Sequence, residues 1–230
     1  MILTVGGIKG GTGKTTIATN FACMAAADCP DVLLVDADDQ KTSSDFTSVR
    51  KQDHPNAARY TCAKLTGMSV RTEVLELSRK YSPIIIDTGG RDTTSQRAAL
   101  TISTVLLVPF APRSFDIWTL NTVAGMIEEI RTVNAGLNSY AFLNHTDPAG
   151  QGTDNQDAAD MLRDVSTLKF LDAPLGRRKA YAHAATQGLS VTELVRPHRN
   201  QQAINEIMTL YAYVFDVTQM SVVKREAVSL

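Results

Sequence analysis

The chain has 230 residues, of which 43% are hydrophobic, and its 23 basic and 24 acidic side chains give a net charge of −1. This length is typical of one large domain, and the nearly neutral charge argues against a strongly basic nucleic-acid-binding monomer. The apolar runs are too short to span a bilayer. The amino terminus lacks a basic leader region and the three cysteines lack redox or metal spacing, so we expect a cytoplasmic protein.

The first predicted elements are an apolar strand from residue 2, a glycine-rich loop and a helix over 14–27. The loop consists of Lys9, Gly10, Gly11, Thr12, Gly13, Lys14, Thr15 and Thr16. Glycines allow backbone N–H groups to curl around phosphate oxygens, and a following helix adds its own N–H groups. We therefore expect Lys14 to contact the β- and γ-phosphates of a nucleoside triphosphate and Thr15 to bind Mg²⁺.

Short apolar runs alternate with helical patterns along the rest of the chain. Further strands are predicted at 31–36, 82–87, 104–109 and 139–144. Further helices are predicted near 68–80, 93–100, 115–134, 155–165, 178–187 and 198–214. The alternation predicts an α/β fold with a doubly wound, mostly parallel sheet flanked by helices. We assign residues 1–216 to this P-loop domain and 217–230 to a C-terminal tail, either a short helix or a frayed end.

Polar residues end several predicted strands, at the sheet edge where such folds bind ligands. Asp87 ends a run of three isoleucines and precedes Thr88 and two glycines. A carboxylate at the tip of a strand beside the P-loop strand is the Walker B arrangement, which binds Mg²⁺ through coordinated water. Without the P-loop, Asp87 would be interpreted as an ordinary turn residue.

The loop departs from the general P-loop, because Ile8 stands where a glycine is expected and Lys9 adds a second lysine. Lys-Gly-Gly-x-Gly-Lys-Thr-Thr resembles the deviant Walker A motif of the ParA/MinD ATPases, whose additional lysine crosses a dimer interface to the partner's nucleotide. The resemblance implies an ATP- and Mg²⁺-dependent homodimer in which Lys9 stabilises charge on the transferring phosphate. The alternative is a solvated loop charge.

A second motif, Asp36-Ala37-Asp38-Asp39-Gln40, is similar to the family's Asp-x-Asp-Pro-Gln, with Asp39 in place of proline. The resemblance implies that Asp36 positions the attacking water, either as a base or only by orienting it, and that Asp38 supports the metal or the switch loop. A plain acidic turn is the alternative for Asp38 and Asp39. The predicted catalytic residues are thus Lys9, Lys14 and Asp36, and the predicted metal-binding residues are Thr15, Asp38 and Asp87.

Two later segments extend the resemblance from residue 1 to about residue 215. Asn144, after a late strand, resembles the family's adenine-contacting asparagine, with an ordinary turn asparagine as the alternative, and Pro174 is assigned to the base pocket. The segment from Arg177 to Glu193 resembles a block of small plasmid ParA proteins. The predicted DNA-binding residues lie in or near it: Arg177, Arg178, Lys179, Arg196 and Arg199.

The resemblance, closest to the short ParF-like class because no helix-turn-helix precedes the P-loop, implies an ATPase that dimerises with ATP and Mg²⁺. The dimer would bind nucleoid DNA non-specifically and segregate plasmid or chromosomal DNA with a ParB-type partner that stimulates hydrolysis. One alternative is the positioning of another cargo, such as a carboxysome or a conjugation complex. A MinD-like membrane ATPase would need a stronger amphipathic pattern after residue 216. A metabolic P-loop enzyme, such as a relative of dethiobiotin synthetase, would not need Lys9.

Overall fold

The computed structural model describes residues 1–112, 117–147 and 153–228, without the side chains of residue 117 and residues 217–228. The strands are β1 Ile2–Val5, β2 Leu33–Ala37, β3 Thr61–Lys64, β4 Ile84–Thr88, β5 Val105–Phe110, β6 Asn138–Thr146, β7 Lys169–Phe170 and β8 Leu175–Gly176. The helices are α1 Lys14–Asp28, α2 Thr42–Asp53, α3 Ser69–Leu77, α4 Thr94–Leu100, α5 Ile117–Arg131, α6 Asp154–Arg163, α7 Lys179–Thr186 and α8 Gln201–Val228. The first two residues of the helix predicted at 115–134 lie outside the described residues.

Within the ranges that the structure describes, seven strands form one sheet in the order β3-β2-β4-β1-β5-β6-β7, and the short β8 pairs with β6. Every strand pair among the described residues is parallel. The predicted doubly wound parallel sheet is therefore confirmed. Because β1 lies between β4 and β5, the loop that follows it emerges at the centre of the edge where the strands end.

Helices cover both faces of the sheet, which explains why the strand sequences are continuously apolar. On one face, Ile85 belongs to an apolar cluster that also contains Phe21 of α1 and Leu210 of α8. Its neighbours Ile84 and Ile86 point the other way, into a cluster with residues of α3 and α4. All three isoleucines are fully buried. Burial of each such side chain stabilises the fold by about 1.5–3 kcal/mol, so both faces anchor the site-bearing loops.

The sequence analysis did not predict α2 and β3, which lie at one side of the sheet. The α2 sequence is polar, and the residue before it, Lys41, has a left-handed backbone (φ 59°) and no side-chain cap. The start of α2 is instead stabilised by Asp36, whose carboxylate accepts hydrogen bonds from the backbone N–H and the hydroxyl of Ser44. A helix held by a residue of the preceding strand leaves little signal in its own periodicity.

The last helix, α8, is longer than predicted. It runs from Gln201 to Val228 and passes the proposed boundary at residue 216 without a break. That residues 217–230 act as a separate tail stays a prediction. None of the helices in the described part of the chain is both long and apolar enough to cross a membrane.

Candidate nucleotide-binding site

The glycine-rich loop forms a tight turn between β1 and α1. It lies at the edge of a cavity of about 760 Å³, which we call the phosphate cavity. Gly11 and Gly13 have left-handed backbones (φ 72° and 92°), which glycine adopts without a steric penalty. A Cβ atom on Gly13 would lie 2.2 Å from the side-chain amide nitrogen of Asn144. Gly13 is therefore required both by its backbone angle and by the close approach of β6.

The Lys14 side chain folds back over this loop. Its Nζ donates a 2.8 Å hydrogen bond to the carbonyl oxygen of Lys9. Burial lowers the pKa of Lys14, while the nearby carboxylates of Asp87 and Asp38 raise it. Lys14 also lines the cavity together with Thr15 and other loop residues, so its ammonium group is placed to contact an anion bound there.

Asp87 lies beside this loop at the end of β4 and is fully buried. Its Oδ2 accepts a 2.7 Å hydrogen bond from the hydroxyl of Ser43, whereas its Oδ1 has no hydrogen-bond partner. Burial raises the pKa of Asp87 to about 7, and the nearby hydroxyl groups of Ser43 and Thr15 oppose this shift. A buried carboxylate oxygen without a partner fits a Mg²⁺ ion held through coordinated water, with Thr15 as the neighbouring ligand.

Asp36 and Asp38 differ in burial and in hydrogen bonding, and their predicted roles stay predictions. Asp36 is fully buried, and its Oδ2 accepts bonds from the N–H and the hydroxyl of Ser44 at 2.8 and 2.5 Å. Its Oδ1 accepts a 3.3 Å bond from the N–H of Asp38. Asp38 itself is partly exposed and lines the cavity, as do Asp39 and Gln40. Asp38, rather than Asp36, is thus the carboxylate that faces the space where water could approach a phosphate.

Asn144 contacts the P-loop directly. It is buried, donates a 2.7 Å hydrogen bond from Nδ2 to the Thr12 carbonyl, and accepts one through Oδ1 from the N–H of His145. Its predicted contact with adenine stays a prediction, and the structure adds a role in fixing the loop. His145 was not singled out from the sequence, yet its ring lines the phosphate cavity and it has a left-handed backbone (φ 59°).

A second cavity of about 220 Å³ adjoins the first, with Thr16 and His145 lining both. Its other walls come from β8 and α7. Burial and the charge of Arg177 lower the pKa of His145, which favours a neutral ring at this junction. Pro174, the predicted base-pocket residue, is exposed, and the next two residues, Leu175 and Gly176, line the cavity instead.

Four of the five predicted DNA-binding residues meet in one open groove of about 400 Å³. Arg177, Arg178, Lys179 and Arg199 line it, and the exposed Arg196 lies close by in the chain. The groove also contains the stacked rings of His183 and His198, whose centroids are 4.2 Å apart. Arg178 differs from the others because it is partly buried and forms an ion pair with Glu206 of α8. Its positive charge is thus largely compensated within the chain.

Lys9 lies at the beginning of the loop and is half-buried. It lines a small gap of about 10 Å³ together with Pro109 and Thr119, at the start of α5. Its predicted contact with the nucleotide of a second subunit stays a prediction. The phosphate cavity is also lined by Arg91, a cationic residue that the sequence analysis missed and that follows the Gly89-Gly90 turn after β4. Its position after a strand end was the available signal.

Residues 3–191 match the family model described as the CobQ/CobB/MinD/ParA nucleotide binding domain, and the chain belongs to this family. A relative from Halothiobacillus neapolitanus, "Maintenance of carboxysome distribution protein A", is 26% identical and covers 90% of this chain and 94% of its own. The protein of the same name from Gloeobacter kilaueensis is 31% identical, with 80% and 81% covered. Another relative, "Protein virC1" from Rhizobium rhizogenes, is 26% identical, with 82% and 81% covered.

Solved structures confirm the fold. Apo McdA from Cyanothece superposes with a TM-score of 0.73 at 17% identity, covering 91% of this chain and 98% of that one. A plasmid partition protein from Borrelia burgdorferi bound to AMPPNP gives a TM-score of 0.67 at 16% identity, with 91% and 97% covered. The predicted ParA/MinD resemblance and the P-loop fold are therefore both confirmed.

Proposed function

We propose that this chain is an ATPase of the ParA type, which forms a DNA-binding homodimer with ATP and Mg²⁺ and releases DNA after hydrolysis. The observation that best supports this proposal is the arrangement of three adjoining spaces. The phosphate cavity shares Thr16 and His145 with the second cavity, and the second cavity shares Arg177 and Arg178 with the basic groove. Nucleotide and DNA would therefore bind on opposite sides of the loop that joins β8 to α7.

For hydrolysis, the chain offers a phosphate-binding loop and a carboxylate that faces the cavity. Backbone N–H groups of the loop and the Lys14 ammonium would bind and orient the phosphates. Thr15 and Asp87 would hold Mg²⁺, which would neutralise part of the phosphate charge when bound. Asp38 would orient the attacking water, while Asp36 would act indirectly by fixing the start of α2. Lys9 would contribute charge across the dimer, as in the family's deviant motif.

For DNA binding, the groove offers exposed cations. Arg178 is paired with a carboxylate, but no such ion pair of the groove's other cations lies in the parts of the chain that the structure describes. Lys179 and Arg199 are exposed, and the dimer would present two such grooves. Binding through phosphates is independent of sequence. It weakens as the salt concentration rises, because the release of counterions from DNA then contributes less free energy. Because the monomer carries a net charge of −1, doubling the groove by dimerisation supports a nucleotide-dependent affinity.

Two cargoes are compatible with this cycle. Segregation of plasmid or chromosomal DNA with a ParB-type partner is supported by the structural likeness to plasmid partition proteins. Positioning of another cargo is supported by two relatives whose name refers to carboxysome distribution. Both cargoes would use the same ATPase and the same DNA groove. Pull-down of proteins encoded beside this gene, with ATP-bound protein as bait, would distinguish a ParB-type partner from a different adaptor.

The DNA-binding step is tested by charge reversal in the groove. We expect Lys179→Glu and Arg199→Glu to weaken the ATP-dependent shift of random duplex DNA while preserving ATP binding. Each lost phosphate contact should reduce the slope of log affinity against log salt by about 0.9. The matched control is Arg79→Glu, at an arginine that is 78% exposed and lies outside the groove. DNA binding at wild-type strength in both groove variants would contradict the assigned interface.

A further inference from the structure

The loop that joins β8 to α7 separates the second cavity from the basic groove. Arg177 and Arg178 line both spaces, so this wall is a single layer of side chains. The loop follows Gly176, the last residue of β8, which also lines the second cavity. A ligand in the cavity and a ligand in the groove would thus contact opposite sides of the same few residues.

One side chain from another element fixes this wall. Glu206 of α8 accepts hydrogen bonds from the N–H of Gly176 at 3.1 Å and from Nε of Arg178 at 2.9 Å. Its second carboxylate oxygen accepts a bond from Nη2 of Arg178, which makes the pair bidentate. The two side chains are 22% and 26% exposed, so water only partly screens them. Planar, bidentate pairs of this kind constrain orientation as well as distance.

The contacts of Glu206 join the two sides of the wall mechanically. Gly176 belongs to the cavity, Arg178 belongs to both spaces, and both are bonded to the same carboxylate. A second link between α7 and α8 lies next to them, since the hydroxyl of Tyr181 donates a 3.2 Å bond to the Ala203 carbonyl. A displacement of the loop by a nucleotide would therefore change the position of the Arg178 guanidinium in the groove.

We propose that Glu206 is a positioning residue that couples nucleotide binding to DNA binding by holding Gly176 and Arg178 in one arrangement. This inference rests on the proposed DNA-binding function and specifies how the two sites communicate. It also gives Arg178 a role as part of the coupling element rather than as a simple phosphate contact. Because coupling is reciprocal, DNA should tighten nucleotide binding by the same factor by which nucleotide tightens DNA binding.

The test measures this factor in a Glu206→Gln variant. Glutamine keeps the side-chain length and an acceptor for the N–H of Gly176, but it loses the charge that orients Arg178. The affinity for a fluorescent, slowly hydrolysed ATP analogue with Mg²⁺ is measured with and without saturating random duplex DNA. We expect DNA to tighten analogue binding about 5-fold or more in the wild type and less than about 2-fold in the variant. Affinity for the analogue alone should change little.

The matched control is Glu193→Gln, which removes the charge from a comparable ion pair between Glu193 and Arg50. The Glu193 side chain is 29% exposed and that of Arg50 is 5% exposed. This control should lower thermal stability but preserve the coupling factor, because neither side chain lines the second cavity or the groove. Arg178→Lys repeats the test if Glu206→Gln folds poorly, since lysine keeps the charge but not the bidentate geometry.

The outcomes separate this inference from the function on which it rests. Wild-type coupling in Glu206→Gln and Arg178→Lys would overturn the inference while leaving ATP-dependent DNA binding intact. An equal loss of coupling in Glu193→Gln would also overturn it, because any loosening of the fold would then suffice. If the wild-type protein itself showed no coupling, the proposed DNA-binding function would fail first, and the inference with it.

Discussion

Substitution of Asp36 should mainly lower the stability of the fold, whereas substitution of Asp38 should mainly lower turnover. Asp36→Ala removes the acceptor of two short hydrogen bonds from Ser44 in a fully buried site. Hydrogen bonds to charged groups contribute roughly 1.5–3 kcal/mol each, and loss of the buried charge offsets part of that. We expect the free energy of unfolding to fall by about 3 kcal/mol, which lowers the Tm of a chain of this size by roughly 6–12 °C.

Asp38→Ala should leave the fold nearly unchanged and stop the chemistry. Asp38 is partly exposed, and its Oδ1 accepts a local 3.2 Å bond from the Gln40 N–H. Such a site typically changes stability by no more than about 0.5 kcal/mol, or about 2 °C in Tm. Loss of a water-orienting carboxylate should lower turnover roughly 100-fold or more while ATP still binds.

Scanning calorimetry and a phosphate-release assay on both variants measure these effects side by side. Asp38→Asn, which is nearly isosteric, serves as the control for volume. If Asp36→Ala kept the wild-type Tm and lost turnover, and Asp38→Ala turned over normally, the structural assignment of the two carboxylates would be refuted. The original prediction, that Asp36 positions the water, would then be correct.

Three further predictions concern the loop, the metal and the dimer. Gly13→Ala should abolish nucleotide binding in isothermal titration, because its Cβ would overlap the Asn144 amide at 2.2 Å; Gly125→Ala, with open space around it, is the control. Burial raises the pKa of Asp87 from 3.8 to about 7. Asp87 should therefore make the nucleotide-free protein less stable as the pH rises from about 4 to about 7. The Mg²⁺-dependent affinity for nucleotide should weaken below pH 7, because the protonated carboxyl group loses its negative charge. Asp87→Asn should remove both trends, and their persistence would exclude Asp87 as the cause. Trp118, the single tryptophan, is 80% exposed at the start of α5 beside the Lys9 gap, so dimerisation through this face should shift its fluorescence to shorter wavelength with ATP but not with ADP.

Much of the fold and the P-loop could be predicted because they depend on local sequence. Continuous apolar runs identified the central strands, and parallel pairing required their ends to meet at one edge, as Asp36 and Asp87 do in register. The helix α2 and the strand β3 were missed. Their stability comes from tertiary contacts, including those of Ser43 and Ser44 with the two carboxylates, rather than from their own periodicity.

Residues that act through distant partners were beyond the reach of sequence patterns. The pairing of Arg178 with Glu206 joins positions 28 residues apart, and no motif marks it. The motif Asp-x-Asp identified two acidic residues but not which one faces the cavity, because the chain turns after β2 ends at Ala37. Asn144 was found by resemblance, yet its contact with the P-loop depends on how closely β6 approaches Gly13.

The most direct test of the central claim is light scattering of the Asp38→Ala protein with ATP and Mg²⁺, with ADP, and without nucleotide, each with and without random duplex DNA. Only with ATP and Mg²⁺ do we expect a mass of twice the 24.9 kDa chain. Only in that state do we expect a protein–DNA complex. A monomer in every state, or a dimer that forms with ATP but does not bind DNA, would contradict an ATP-switched, DNA-binding ATPase.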